Sequence, residues 1–239
     1  MEHRFALFSP EHFLVMALLA VGGFLILYAS RRCASEKGTR NLAIVLGVFM
    51  IVQELFDRGY HVLLVGDRLA DALPLHLCGM SVFLSAVMLM NRSYRLFEVM
   101  YFWGLGGATM AILTPDLQFD FPHPVYITFF TSHALIIVAV LYMMLNFGYR
   151  PTTGSLVRAI LLTNAYMLLV YPVNLLLNTN YLFLNAKPQG ATILDALGPW
   201  PYYIAGMEVI GLVTFVLLYL PFAFVRDSAG SRPAEKSQP

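Results

Sequence analysis

HPVYITFFTSHALIIVAVLYMML, residues 123–145, runs without a single Asp, Glu, Lys or Arg. About 20 mainly apolar residues suffice for a helix to cross the hydrocarbon core of a bilayer, so this stretch reads as a span over 124–146. Six other stretches have the same character, at roughly 12–29, 42–64, 72–90, 95–114, 157–178 and 201–225. They are continuous rather than alternating with a period of two, which selects helices over the strands of a membrane barrel. Composition agrees. Of 239 residues, 59% are hydrophobic and 12% charged, about half the roughly 25% charge of a soluble domain. An exterior this poor in charge excludes a soluble enzyme, a nucleic-acid binder and a disordered chain. The two cysteines, Cys33 and Cys78, are too few for a disulfide framework, and no CxxC or Cys/His zinc spacing exists.

The expected fold is therefore all-α: a polytopic membrane bundle of seven transmembrane helices forming one domain over 1–225. A polar tail, 226–239, is rich in Ser, Pro and charge and is predicted to be disordered. The first span is read as a retained helix rather than a signal peptide, because its strong positive charge, Arg31-Arg32, follows the apolar run and no small-residue cleavage site precedes it.

Placing the charges gives an orientation. Arg31, Arg32, Lys37, Arg40, Arg92, Arg95, Arg150, Arg158, Arg226, Arg232 and Lys236 fall on one side of a seven-helix arrangement. Arg4, Arg68 and Lys187 fall on the other, and Arg58 lies within a span. The positive-inside rule then predicts an outside N-terminus and a cytoplasmic C-terminus, in a bacterial cytoplasmic (inner) membrane. Two outer loops result: 114–123, and the long 179–200 stretch TNYLFLNAKPQGATILDALGPW. A connection that long is often a functional lid or re-entrant piece.

An ionisable group at membrane depth is expensive and needs a partner, a cavity or a task. In GVFMIVQELFDRGYHVLLVG, residues 47–66, Glu54, Asp57, Arg58 and His61 recur at i, i+3, i+4 and i+7 on one helix face. Glu54–Arg58 and Asp57–His61 are predicted to pair at i,i+4. The stripe is either a charge network that fixes packing or the wall of a cavity open to water or headgroups. In the third span Cys78, Ser81 and Ser85 share a face, and a regular helix would turn His76 about 160° from Cys78. The fifth span carries His133, the sixth Asn164, Tyr171, Asn174 and Asn178, and the seventh Glu208. At 1.5 Å per residue, Cys78, His133 and Glu208 lie roughly 9–12 Å below the outer ends of their helices, with Asp57, Tyr171 and Asn174 near that depth. This layer, drawn from five helices, predicts a cavity in the outer half. Glu98, i+3 from Arg95, is read as a snorkelling surface pair. Gly104–Ala108 (GLGGA) is read as close packing within the molecule, and Trp103, Trp200, Tyr202 and Tyr203 as interface anchors.

A thiol and an imidazole at matched depth suggest a nucleophile and its base: Cys78 takes an acyl group as a thioester, His133 shuttles the proton, and Glu54, Asp57 or Glu208 orients the ring. The alternative for each residue is plain packing, since a lone membrane cysteine is commonly inert. Other readings are a transition-metal site from His61, His76, Cys78 and His133, although no HxxxH or HxxE pair exists, and a non-enzymatic transporter or lipid-binding partner, although no inverted repeat is visible. No cofactor, bound metal, nucleic acid or soluble protein partner is implied, and membrane lipids are the expected partners. The oligomeric state is left open.

Four segments in order, PLHLCGM (74–80), TSHA (131–134), NYLFLNAKP (180–188) and GPWPYY (198–203), resemble the YwaF-like integral membrane family. That bacterial family is related to a vertebrate transmembrane acyltransferase of ether phospholipids. The resemblance covers roughly residues 40–225. It implies phospholipid acyl transfer or lipid hydrolysis with Cys78 as acyl acceptor and His133 as base. It also implies that Asn180, Lys187 and Pro188, with Trp200 in the GPWP turn, line the mouth of the site.

Overall fold

A computed structural model describes residues 5–32, 35–117, 119–188 and 193–224. Cys33, Arg4 and the expected tail 226–239 lie outside the described residues. Among the described residues there is no strand, and seven long helices follow one another. They are α1 (Pro10–Arg32), α2 (Glu36–Tyr60, continued by a π-helical turn His61–Val65), α3 (Leu77–Asn91), α4 (Tyr94–Leu113, π-helical over Trp103–Ala108), α5 (Pro124–Phe147), α6 (Thr153–Leu177) and α7 (Tyr202–Ala223).

The helix ends are set by local chemistry. Ser35 caps α2 by accepting from Gly38 N at 3.0 Å, and Ser93 caps α4 by accepting from Leu96 N. Thr152 and Ser155 form a reciprocal capping box at the start of α6. At α5, His123 Nδ1 accepts from Val125 N, Pro124 occupies the first turn, and Gly148 ends the helix in the left-handed region at φ 68°.

Five helices, α1, α4, α5, α6 and α7, are long and apolar enough to cross a membrane. Helix α2 has the length but carries the charged stripe. Helix α3 has 15 residues, a rise of about 22 Å. It starts at Leu77 rather than near 72 as expected. Leu73 precedes Pro74, which disfavours helical backbone there, and the carbonyls of Ala72 and Leu73 are turned toward Arg58.

Helices α2 to α5 form the centre. Phe97, Met100 and Phe102 of α4 pack with Ile136, Val140 and Met143 of α5, all fully buried. Small residues permit the close approaches. A Cβ on Gly47 would lie 2.9 Å from the Ala86 carbonyl oxygen on α3, and one on Gly104 would lie 2.9 Å from Ile136 on α5. The 104–108 glycines thus serve contact within the molecule. Helix α1 is tied on by His12, whose Nε2 lies 2.8 Å from Ile112 O, and by Asn146 Nδ2, which donates to Ser30 Oγ. The outward faces of α1, α6 and α7 are apolar. Leu168, Leu169 and Leu176 of α6 stand open, Leu176 at 83%. An apolar face of that extent is foreign to a soluble monomer and natural against lipid.

Two expectations are corrected. Glu98 is not a surface partner of Arg95: it is 3% exposed, accepts from Ser155 Oγ at 2.7 Å, and is ion-paired to Arg158 Nη2. Placed on the buried face of α4, it meets α6 instead of its own helix. Trp103 and Tyr203 are buried rather than set at an interface, with Trp103 Nε1 donating to Thr163 Oγ1 at 2.7 Å. Trp200 and Tyr202 do remain exposed.

Candidate functional site

Helices α2, α3 and α5 enclose a cavity of about 140 Å³. Glu54, Asp57, Arg58 and His61 line it from the α2 side, His76, Cys78, Gly79 and Val82 from the α3 side, and Val125, Phe129, Ser132 and His133 from α5. Seven of the residues singled out from the sequence therefore share one space, on three helices rather than the five expected.

The α2 wall is built on an ion pair. Arg58 donates from Nη2 and Nε to Glu54 Oε1, at 2.5 and 2.9 Å, and from Nη1 to the Ala72 and Leu73 carbonyls at 3.4 Å each. Glu54 is 3% exposed. The guanidinium lies against Gly79, so close that any Cβ there would collide with Nη2. The predicted Glu54–Arg58 pair is present. The predicted Asp57–His61 pair is not. Asp57 Oδ1 accepts from Thr128 Oγ1 of α5, and His61 Nδ1 pairs with Asp67 Oδ2 at 2.6 Å. The cause is local: α2 loosens into a π turn at His61, and left-handed Gly66 (φ 90°) folds the chain back so that Gly66 N and Asp67 N both donate to His61 O.

On the α3 side, His76 is the residue before the helix, with extended backbone (φ −66°, ψ 146°). That is why His76 and Cys78 line the same cavity instead of pointing apart as a regular helix would require. The His76 ring packs edge-on against Tyr181, centroids 5.1 Å apart, and against Phe183 at 5.4 Å. Cys78, in the first turn of α3, is a free, partly buried thiol.

On α5, His133 is 6% exposed and its Nδ1 lies 2.6 Å from the Phe129 carbonyl oxygen. A carbonyl only accepts, so Nδ1 carries the proton. In the neutral ring Nε2 then presents its lone pair. Nε2 has no hydrogen-bond partner among the described residues. No carboxylate orients the ring, because the Phe129 carbonyl takes that place. Cys78 and His133 border the same cavity without a direct hydrogen bond.

The remaining expected residues lie off the cavity. Asn174 is fully buried and holds the chain after α6: its Oδ1 accepts from Tyr181 N and Thr179 Oγ1, and its Nδ2 donates to Tyr181 O. Asn180 Oδ1 accepts from Asn185 N and Ala186 N, shaping the same loop. Lys187 Nζ sits 3.9 Å from Asp195 Oδ1 and over the Tyr203 ring. Trp200 Nε1 donates to Leu184 O at 3.0 Å. Tyr171 is exposed on α6, and Glu208 accepts from Asn164 Nδ2 at 3.2 Å. The 179–188 loop meets His76 of the cavity wall through the Tyr181 and Phe183 rings. Gly79, Thr128 and Ser132 were not singled out from the sequence as site residues. Ser132 directly precedes His133 and lines the cavity, whereas Thr128 acts on it only through its hydrogen bond to Asp57, a contact between helices that spacing along α5 does not report. Among the described residues no group of three or more His, Cys, Asp or Glu side chains is arranged to hold a metal ion.

The chain matches the TMEM164 family over residues 7–219. It belongs to the TMEM164 family. The matched region contains every residue of the cavity and all but the last residues of α7. An uncharacterized protein of Treponema pallidum (strain Nichols) is 29% identical over 225 residues, spanning 91% of this chain and 90% of that protein. No solved structure matches.

Proposed function

We propose that this TMEM164-family membrane protein transfers acyl groups between membrane lipids, with Cys78 as acyl acceptor and His133 as base. The observation that carries the proposal is the His133 ring, buried at the cavity wall with Nδ1 committed to Phe129 and Nε2 left as the acceptor on a cavity that also holds the Cys78 thiol. The likeness of the PLHLCGM and TSHA segments to the YwaF-like family and its vertebrate acyltransferase relative supports it.

The chemistry balances within those two side chains. Cys78 Sγ attacks the carbonyl carbon of a lipid ester, forming the S–C bond while its proton passes to His133 Nε2. Collapse of the tetrahedral adduct breaks the C–O bond, and the leaving lyso-lipid alkoxide takes the proton from Nε2. A second lipid hydroxyl, deprotonated by the same Nε2, attacks the thioester; the S–C bond breaks and Nε2 returns the proton to the departing Cys78 thiolate. Water in place of that hydroxyl gives hydrolysis. In this proposal all seven helices cross a bacterial cytoplasmic membrane, with the N-terminus outside.

The test is lipidomics of cells expressing wild type, Cys78→Ala or His133→Ala. A shifted phospholipid acyl profile with wild type alone is expected. A profile that both variants shift as wild type does would end the proposal. An acyl probe that never labels Cys78 in intact membranes would remove the covalent step.

A further inference from the structure

Helix α3 begins without a cap. His76 holds the capping position, yet its side chain makes no hydrogen bond to the helix amides. The first amide of this turn with a partner is Met80 N, which donates to His76 O at 3.0 Å. The N–H groups of Leu77, Cys78 and Gly79 have no hydrogen-bond partner among the described residues. Such orphan donors ordinarily find a side chain, water or ligand. Two of them belong to residues that line the cavity, and Gly79 can line it only with backbone.

A second observation is independent of the helix end. Across the cavity, on α5, His133 is more than nine-tenths buried with its Nε2 unpartnered among the described residues. A third is the Arg58 guanidinium, seated in the space a Cβ of Gly79 would take. Glu54 Oε1 lies 3.2 Å from the same point, so an ion pair flanks these amides, with the guanidinium the nearer partner and its Nη1 contacts long at 3.4 Å.

Resting on the acyl-transfer reading above, we propose that the Cys78 and Gly79 amides form an oxyanion hole for the acyl group carried on Cys78, with position 79 kept as glycine so that Arg58 can flank it. When Sγ bonds to the ester carbon, the carbonyl π pair moves onto oxygen. That oxygen, attached to the carbon on Sγ, lies within reach of the amide of the same residue and of the next. The positive end of α3 favours the developing charge. The pair returns to re-form C=O as the alkoxide leaves. The hole is preformed by the fold, so no reorganisation is needed at the moment of reaction. Residue 79 is a positioning residue through its missing side chain and a direct contact through its N–H.

The experiment uses the full chain in lipid nanodiscs, acylated with p-nitrophenyl [1-¹³C]octanoate, and isotope-edited infrared spectra of the carbonyl. The wild-type thioester band is expected at lower wavenumber than the same octanoyl thioester of N-acetylcysteine in apolar solvent. Gly79→Ala, which displaces the guanidinium but keeps the amide, retains most of the downshift. Gly79→Pro removes the N–H at a first-turn position where no helix hydrogen bond is lost. It should lose part of the downshift and acylate about 10²–10³-fold more slowly than Gly79→Ala. An unshifted wild-type band, or equal bands and rates for Gly79→Pro and Gly79→Ala, overturns the oxyanion hole while leaving Cys78 acylation standing. No thioester band on wild type overturns acyl transfer itself. The wild-type band needs no variant to fold.

Discussion

The Nδ1 of His133 and the carbonyl oxygen of Phe129, one helical turn earlier on α5, are 2.6 Å apart. The contact spends a main-chain acceptor on fixing a ring tautomer. It also adds Phe129, whose ring lies 4.2 Å from the imidazole, as the wall that keeps the ring from turning.

The first prediction concerns that tautomer. In protein with ¹⁵N-labelled histidine, the resonance assigned to His133 by its loss in His133→Ala should show a protonated Nδ1 and a bare Nε2 in the neutral ring. A protonated Nε2 would take the lone pair away from the cavity and end the assignment of His133 as base.

The second concerns the pair beneath Gly79. Removing one partner of a buried ion pair strands the other, at a cost of about 3–5 kcal/mol. Arg58 keeps some contact with solvent, so Arg58→Leu should lower stability by about 3 kcal/mol. Glu54→Gln with Arg58→Leu together should cost less than the sum of the two. Thermal unfolding of the four proteins in one detergent measures the coupling, and strict additivity would show that the two side chains act separately.

The third uses the asymmetry of Glu98 and Arg158. The carboxylate is buried while Arg158 is about half exposed. Arg158→Ala leaves a charge in the core. Glu98→Gln leaves a neutral amide that still meets Ser155. Arg158→Ala should therefore destabilise more, by about 2 kcal/mol. Equal melting temperatures for the two variants would argue against a buried Glu98.

The fourth addresses Asn174. Its three hydrogen bonds hold Thr179 and the Tyr181 backbone, and Tyr181 in turn holds Leu73 N, Ala70 O and the His76 ring. Asn174→Ala should cost about 2–4 kcal/mol through the groups left unpaired. It should also change the rate of Cys78 labelling by a thiol reagent, although Asn174 touches nothing in the cavity. A variant with altered stability and unaltered labelling would mean that the loop does not support the His76 wall.

Much of this was legible in order along the chain. The apolar runs located all seven helices, because length and hydrophobicity are local properties. The Glu54–Arg58 pair was legible because i,i+4 geometry is intrinsic to a helix. What failed needed a partner from elsewhere or a break in regularity. Asp57 finds Thr128 on α5, and Glu98 finds Arg158 on α6; spacing within one helix cannot report either. His61 is redirected by the π turn and Gly66, and His76 by Pro74, which delays α3. The depth argument put Asp57, Cys78 and His133 in one layer, and all three border one cavity, but depth alone carries no direction around a helix axis. Tyr171, Asn174 and Glu208 were therefore assigned to a cavity they do not line. Gly79 escaped notice because the signal was a missing side chain, visible only once Arg58 fills the space.

The brevity of α3 has one more consequence. If α3 crosses as proposed above, its rise of about 22 Å falls short of a hydrocarbon layer of roughly 30 Å, and its truncated end is the one that bears Cys78. On that topology, lipid that reaches this end would have to sink, the bilayer pinching locally to meet the protein. On the acyl-transfer reading proposed above, that deformation would bring the ester of a neighbouring phospholipid down toward the thiol, with no need to draw the whole molecule out of its leaflet. Turnover measured in bilayers of graded chain length should rise as the acyl chains shorten. A rate indifferent to thickness would mean that substrate arrives another way.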